Sequence, residues 1–443
     1  MNALSTQIQT LLHQQKLQQL DQLFASLHIQ RVSDAVQTLS LAEQIQVLTH
    51  SAKRGMIFEN LAQAIQIQLA QHLDAKQLGQ IMQQMHSDDR LDFYQLLAPN
   101  LQHHVMQQLP TQIQQQLAQL AAYPPASAGA IMSSDFVTLA PEVTIEQAIA
   151  DLRQVAAQQE TLYFVYVVDD WQKLLGVISL RQIIQADPQT QVAALMRQDL
   201  IYAHVQDDQE KVAKLIAHYD FLALPIVNNE KCLLGIVTYD DVIDVIRAET
   251  DEDFLKSSAV QNEGRLSLKH ASIFSLYKKR VFWLVILVFG SLLSGIGIAY
   301  FEDIIATHIV LVFFLPLLVG SGGNAGSQSA TLMVRALATG DVELKDWFGL
   351  LGRESLVALC LGTTMAIAVS ILGYIRGDLM VAIVLALSML GIVLLGALIG
   401  MSLPFILDKL KLDPASASGP LVTSICDATG VVVYLFIASQ LLF

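Results

Sequence analysis

From residue 281 to the carboxyl end the sequence passes through five apolar stretches, about 281–300, 307–335, 349–374, 379–407 and 416–442. No other feature limits the fold as strongly. Each stretch reaches the ~20 residues that a helix needs to cross a ~30 Å hydrocarbon core. Inside such a core every backbone N–H and C=O must find its partner within the protein, and a separate apolar segment can do that only as a helix. A bundle of five membrane-spanning helices is therefore expected. The basic residues orient it. Lys278, Lys279 and Arg280 precede the first stretch; Arg335, Lys345 and Arg353 fall between the second and third; Lys409 and Lys411 fall between the fourth and fifth. Arg376 stands in the other loops, with the acids Glu302, Asp303 and Asp378. Basic loops stay inside, so the amino end is expected in the cytosol and the carboxyl end outside.

Charge divides the sequence in the same place. From Ala271 onward there are ten acids and nine bases; before it there are thirty acids and seventeen bases. A strongly acidic soluble half precedes a nearly neutral membrane half. An acidic surface argues against nucleic acid and for cations or basic partners. Cys232, Cys360 and Cys426 are scattered, with no pairing or zinc-site spacing. The start, Met1 to Gln9, has no basic stretch followed by an apolar run, so the soluble half is expected to remain cytosolic.

Residues 1–128 read as a helical domain. Leu17, Leu20, Phe24 and Leu27 recur at helical spacing, as do Ile57, Leu61, Ala64 and Ile65; Pro99, Pro110 and Pro124-Pro125 punctuate short helices. The regular apolar stripe predicts an ordered superhelical stack despite the abundance of Gln. A repeat of about 60 residues follows. Met132-Ser-Ser-Asp135 returns as Met196-Arg-Gln-Asp199, and Leu174-Leu-Gly-Val-Ile-Ser179 returns as Leu233-Leu-Gly-Ile-Val-Thr238. Each copy has an amphipathic helix, two short β-branched strands around a turn and a second helix, an order that resembles a pair of CBS motifs. One copy cannot bury its sheet alone, so the two are expected to pack together, as 129–190 and 191–248. A charged connecting helix is expected over 249–275, then the five-span domain over 276–443.

Two membrane features carry chemistry. Asp427 lies near the middle of the last apolar stretch, with no Lys or Arg within several turns. A carboxylate at membrane depth costs about 2.5–3.5 kcal/mol on insertion scales. It persists most readily where it meets water or a cation, so Asp427 marks a cation pathway. The second stretch contains Pro316-Leu-Leu-Val-Gly-Ser-Gly-Gly-Asn-Ala-Gly-Ser-Gln-Ser-Ala-Thr331. Gly320, Gly322, Gly323 and Gly326 allow close helix approach or a locally opened backbone beside a cavity. Asn324, Ser327, Gln328 and Ser329 add groups suited to a hydrated ion. The string lacks the Gly-Lys-Ser/Thr end of a phosphate loop.

The glycine string through Val342, together with Asp413-Pro-Ala, Gly419-Pro-Leu-Val-Thr423, Asp427 and Thr429-Gly430, resembles the MgtE family of magnesium channels. The likeness spans helical domain, CBS pair, connecting helix and five spans. It implies a homodimer in a bacterial inner membrane with the pore on the two-fold axis. It implies that Asp427 contacts a magnesium ion through its waters, with backbone oxygens near Gly419 and Thr423 completing the site. Some relatives carry Asn at the position of Gly419, which a backbone role survives. Mg²⁺ sheds its waters reluctantly, so a pore that reads the hydrated ion is the workable design. The likeness also implies regulatory magnesium at acids of the soluble half: Asp88 and Asp92 in the helical domain, Asp208, Glu210 and Asp220 in the second repeat, and Asp241, Asp244, Glu249, Glu252 and Asp253 leading into the connecting helix. Taken alone, like charges at this spacing destabilise a helix unless solvent or cations neutralise them.

CBS pairs often bind adenine nucleotides, with an acid ending the Gly-x-x-Ser/Thr-x-x-Asp string. Here Gly176…Ser179 ends in Gln182 and Gly235…Thr238 ends in Asp241. The departure at Gln182 counts against ATP and leaves it an open ligand. The spans hold no His/Asp/Glu set, no nucleophile elbow and no His-Glu-x-x-His, so an enzyme is not expected. The leading expectation is a Mg²⁺-selective channel gated by cytosolic Mg²⁺. The alternative is a CBS-regulated, ion-coupled carrier of divalent cations such as Co²⁺ or Mn²⁺, with Asp427 as a protonatable relay.

Overall fold

The computed structural model describes residues 3–156, 161–260 and 272–442. They fall into two compact units, Met1–Ile246 and Arg247–Phe443.

The first unit opens with ten short helices, α1 (Ala3–His13) to α10 (Thr111–Leu120), among them α5 (Arg54–Glu59) and α8 (Ser87–Leu96). Their apolar faces form one core that includes Phe24, Val36, Ile57, Leu78 and Leu117. The glutamines earn their place by capping. Helices this short expose a large share of their last carbonyls. The Gln44 amide donates to Val36 O at 3.1 Å, Gln66 to Phe58 O at 2.9 Å, and Gln102 to Tyr94 O at 2.9 Å. Arg90 does the same work with Nε on Met82 O at 2.7 Å. Each side chain reaches back eight residues to close the preceding helix, which makes the Gln-rich stretch an ordered stack.

The two repeats follow. The first comprises β1 (Thr138–Leu139), α11 (Ile145–Val155), β2 (Phe164–Val168), β3 (Leu174–Ser179) and α12 (Leu180–Gln185). The second comprises β4 (Ala203–His204), α13 (Gln209–Tyr219), β5 (Ala223–Val227), β6 (Leu233–Thr238) and α14 (Tyr239–Ser257). In each, the first strand runs parallel to the second and the second antiparallel to the third. The repeats exchange contacts reciprocally: Val177 bridges Arg197, and Ile236 bridges Ser133. Gly176 and Gly235 make the exchange sterically feasible. A Cβ on either would press on the sulfur of Met196 or Met132. Tyr166, Val168 and Leu174 of one repeat share a core with Ala223, Val227 and Ile236 of the other.

The second unit holds five long apolar helices among the described residues: α15 (Ile273–Tyr300), α17 (Val310–Ala338), α18 (Trp347–Arg376), α19 (Leu379–Lys409) and α20 (Gly419–Leu442). A short helix, α16 (Glu302–Thr307), joins the first two. The first span begins earlier than its apolar stretch, at Ile273. The connecting segment is helical in α14 as far as Ser257, and its residues 261–271 lie outside the described residues. Around Met389, Ile392, Phe314 and Tyr434 the inner spans form a common core. Tyr434 donates its hydroxyl to Leu311 O at 3.1 Å, tying α20 to α17.

Candidate cation sites in the two units

In the membrane unit, helix α17 runs unbroken through the glycine string. Its glycines serve close approach, and they divide by face. Gly322 and Gly326 abut Gly396 and Gly400 of α19 so closely that a Cβ on Gly396 or Gly400 would collide with their carbonyls. Gly323 faces α20: a Cβ there would stand 3.2 Å from Asp427 Oδ1 and 2.9 Å from Thr423 Cγ2. Gly320, Asn324 and Gln328 lie four residues apart on a third, exposed face.

Gly419, Thr423 and Asp427 follow the same spacing, which lines them along one stripe of α20. Ser327 meets that stripe. Its hydroxyl lies 3.3 Å from Gly419 O and 3.1 Å from Thr423 Oγ1. Asp427 Oδ1 is buried and has no hydrogen-bond partner among the described residues. A second acid in the spans, Glu354 of α18, is matched instead by the Ser329 hydroxyl at 2.5 Å. The contrast sets Asp427 apart: Glu354 has a hydroxyl partner, whereas Asp427 Oδ1 has none among the described residues. Ser327 is among the groups that the sequence marks as suited to a hydrated ion, whereas Glu354 carries no such mark. Only the packing of α17 on α18 and α20 reveals their contacts.

The soluble unit collects acids rather than isolating one. Helix α8 starts against the opening segment of the first repeat, which itself bridges Ile236 of the second: the Ser87 backbone N–H donates to Asp135 at 2.9 Å, and its hydroxyl lies 3.1 Å from the Ser133 hydroxyl. This docking brings Asp88 and Asp89 to Asp241. Burial, then the charges of Asp88, Glu59 and Asp241, push Asp89 up to about 9. Burial and Asp88 push Asp241 up to about 7, against the lowering hydrogen bonds from Thr238. Like charges in a poorly hydrated pocket disfavour ionisation, and a divalent cation would reverse that balance. Glu59, His86 and Asp89 place one ligand atom each within 4.8 Å of one another. Asp89 belongs with Asp88 and Asp92 to the acids that stand out in the sequence, but Glu59 and His86 do not, because Glu59 lies 27 positions from His86.

The other predicted acids are placed differently. Asp92 and Asp244 occupy exposed positions on α8 and α14. Asp208 caps α13 by accepting from Glu210 N at 2.8 Å, and Glu210 pairs with Lys214 at 3.1 Å. Asp220 ends α13 in the left-handed region at φ 53°. Glu252 pairs with Lys256 at 2.5 Å, and the same ammonium reaches Asp413 at 2.5 Å, just before α20. Glu249 and Asp253 lie on the same helix and are partly buried.

A cavity of about 820 Å³ opens beside the first repeat, lined by Tyr163, Tyr166, Arg181, Gln182, Arg197 and Pro225 among others. Gln182 closes a capping box: Ser179 N–H donates to its Oε1 at 3.0 Å. Asp241 plays the same part for Thr238, whose N–H donates to it at 3.2 Å. Both residues therefore have a structural task whether or not a nucleotide binds.

Family models match in three places. The MgtE intracellular N domain matches residues 7–126, the CBS domain matches 128–188 and 192–248, and the MgtE divalent cation transporter model matches 315–437. The magnesium transporter MgtE of Thermus thermophilus is 42% identical over 323 residues, 73% of this chain and 72% of that protein. The crystal structure of the soluble part of a magnesium transporter matches 55% of this chain and 97% of its own, with 30% identity and a TM-score of 0.54. The cytosolic domain of the Mg²⁺ channel MgtE, solved in complex with ATP, matches 54% of this chain and 99% of its own, with 32% identity and a TM-score of 0.50. With its helical domain, its CBS pair and its five apolar spans all accounted for, this chain belongs to the MgtE family of divalent cation transporters.

Proposed function

We propose that this protein is a Mg²⁺-selective channel for magnesium uptake. It crosses a bacterial inner membrane with its amino end in the cytosol, and its pore lies on the axis of a homodimer. The single observation that carries the reading is the stripe Gly419–Thr423–Asp427, with its partnerless carboxylate oxygen beside Gly323. One carboxylate per subunit, with carbonyl and hydroxyl oxygens around it, suits an ion that keeps its waters. It also binds weakly enough for the ion to leave, as conduction requires. A second subunit would cover the exposed polar face Gly320–Asn324–Gln328. The exposed apolar side chains Phe289, Leu293 and Ile296 of α15 suit lipid. Glycines 322 and 326 hold α17 against α19 and support the pore from behind.

Cytosolic Mg²⁺ closes the channel by joining acids of the soluble domains. Asp88 and Asp241 form the centre of this response, and Asp92, Asp244, Asp208, Glu210, Asp220, Glu249, Glu252 and Asp253 add to it. Without Mg²⁺ the acids repel; with it they are bridged. A coupling of about 1–3 kcal/mol shifts such an equilibrium five- to 150-fold. The domains of this channel are the helical domain 1–128, the CBS repeats 129–190 and 191–248, the connecting helix 249–275 and the pore domain 276–443. The test is Mg²⁺ flux into proteoliposomes with Mg²⁺ varied on the cytosolic side. Flux that stops as cytosolic Mg²⁺ rises, with a current reversing at the Mg²⁺ potential, is expected. Dependence on a pH or Na⁺ gradient would instead establish the ion-coupled carrier.

Nucleotide binding is a second reading with its own observation. Tyr166 lines the 820 Å³ cavity, is 1% exposed, and its hydroxyl has no partner among the described residues. Arg181 and Arg197 beside it suit phosphates. ATP would bind there with Gln182 in place of a ribose-binding acid. Equilibrium dialysis with ATP decides it, and no saturable binding would remove this reading.

A further inference from the structure

We propose that Glu59, His86 and Asp89 form a binding site for a transition-metal dication of the Mn²⁺, Co²⁺ or Zn²⁺ class. His86 Nδ1 stands 3.3 Å from Glu59 Oε1. Two ligands of one tetrahedral ion, with bonds of about 2.0–2.2 Å, lie about 3.3–3.5 Å apart. That pair already has the separation of two groups sharing a metal. Asp89 offers a third ligand atom within 4.8 Å of both.

The supporting contacts favour a built site. The backbone N–H of His86 donates to Glu59 Oε2 at 3.2 Å, which leaves Oε1 turned toward the imidazole. Orienting bonds of this kind accompany metal ligands. His86 also occupies the N-cap position of α8, yet its ring makes no capping hydrogen bond. His28, at the equivalent position of α3 (Ile29–Gln37), uses its ring in the ordinary way and accepts from Gln30 N at 3.2 Å. Capping therefore occupies the ring of His28, whereas the ring of His86 is turned to Glu59.

Donor chemistry selects the ion. Mg²⁺ prefers six oxygens in near-ideal octahedral geometry. An imidazole nitrogen with two carboxylates suits Zn²⁺, Co²⁺ or Mn²⁺. The nearby charges of Asp88 and Asp241 add attraction for any dication. The simpler arrangement is an ion pair between His86 and Glu59, and it predicts no metal. This inference is independent of the transport reading, since occupancy is measured directly and flux is measured separately.

The test uses the full chain in detergent, stripped of metal and then held in saturating Mg²⁺ so that all-oxygen sites are filled. Titration with Co²⁺ is expected to give the intense visible absorption of a nitrogen-ligated ion of low coordination number. His86→Gln should abolish that absorption and weaken Co²⁺ binding by about tenfold or more. Glu59→Gln should weaken it too. Wild-type protein that binds no Co²⁺ under these conditions overturns the proposal, as does a His86→Gln variant that matches wild type. Should the variants fail to fold, X-ray absorption on Co²⁺-loaded wild type still decides. Imidazole scattering supports the site, and an oxygen-only shell overturns it.

Discussion

The two units hold carboxylates in opposite ways. Asp427 stands apart from other acids, on a stripe of backbone and hydroxyl groups. In the soluble unit Asp88, Asp89, Glu59 and Asp241 are gathered where burial first, and the charges of their neighbours second, make Asp89 and Asp241 resist ionisation. A lone acid stores no repulsion, so an ion can arrive and leave with little rearrangement. A crowded group stores repulsion that a bound cation releases, and the release can do conformational work. The first arrangement suits passage and the second suits sensing. Sequence composition shows acids in both units and does not distinguish them.

The sharpest way to break this contrast is Asp427→Asn, which preserves shape and removes charge. Mg²⁺ flux into proteoliposomes should fall on the order of a hundredfold, equivalent to about 2.8 kcal/mol, while the folded protein remains intact in size-exclusion chromatography. Wild-type flux in this variant would mean that the stripe on α20 is not the selective element.

Next in size is the soluble cluster. Asp88→Ala with Asp241→Ala should raise the cytosolic Mg²⁺ needed for half-closure by about tenfold, within the usual range of coupling energies. The pair Asp208→Ala and Glu210→Ala provides the comparison. These acids already serve a helix N–H and Lys214, so their removal should shift closure less. Equal shifts from the two pairs would show that total charge matters and the Asp88–Asp241 contact does not. Asp220 is a poor choice for alanine because its left-handed backbone favours Asn or Gly.

Stability against pH, without metal, tests the crowding itself. Asp89 sits at about 9 and Asp241 at about 7, each raised from an ordinary value of 3.8. Between those limits the folded protein holds protons that the unfolded chain has released. Stability is therefore greatest below the ordinary value and falls as pH rises through the folded values. The slope approaches about 1.4 kcal/mol per pH unit while one such group remains protonated only when folded. Thermal unfolding in EDTA should show this decline, and saturating Mg²⁺ should flatten it. A profile rising from pH 5 to 8 in EDTA would show that the acids are not under repulsion.

The smallest expected effect concerns the two repeats. Gln182→Asp restores the acid that ends the string of the second repeat. It should strengthen ATP binding by only a few-fold, about 1 kcal/mol for one added hydrogen bond. Unchanged affinity in equilibrium dialysis would place the ribose away from α12.

Much of the architecture was legible because it rests on local rules. Five apolar runs of sufficient length can become little else than spans. The strings Leu174–Ser179 and Leu233–Thr238 announce a repeat and, with the helices around them, a CBS pair. The glycine string and Asp427 were conspicuous because each is costly where it stands. The faces of that string were not legible. Gly322, Gly323 and Gly326 look alike in sequence, yet Gly323 meets Asp427, Gly322 meets α19, and Gly326 is wedged between α19 and Cys426 of α20. Residue type cannot tell which way a helix is turned.

By itself the sequence determined the number of spans, the order of the domains, the split of charge between the halves and the family. All of these follow from periodicity, length and motif. Only the tertiary structure decided which acids meet. Glu59, His86 and Asp89 come from the end of α5 and the start of α8, and Asp241 reaches them because α8 docks through Ser87 on residues 133–135 of the first repeat, which bridge Ile236 of the second. Coulombic and ligand interactions depend on distances of a few ångströms, and separation along a chain places no such limit on separation in space.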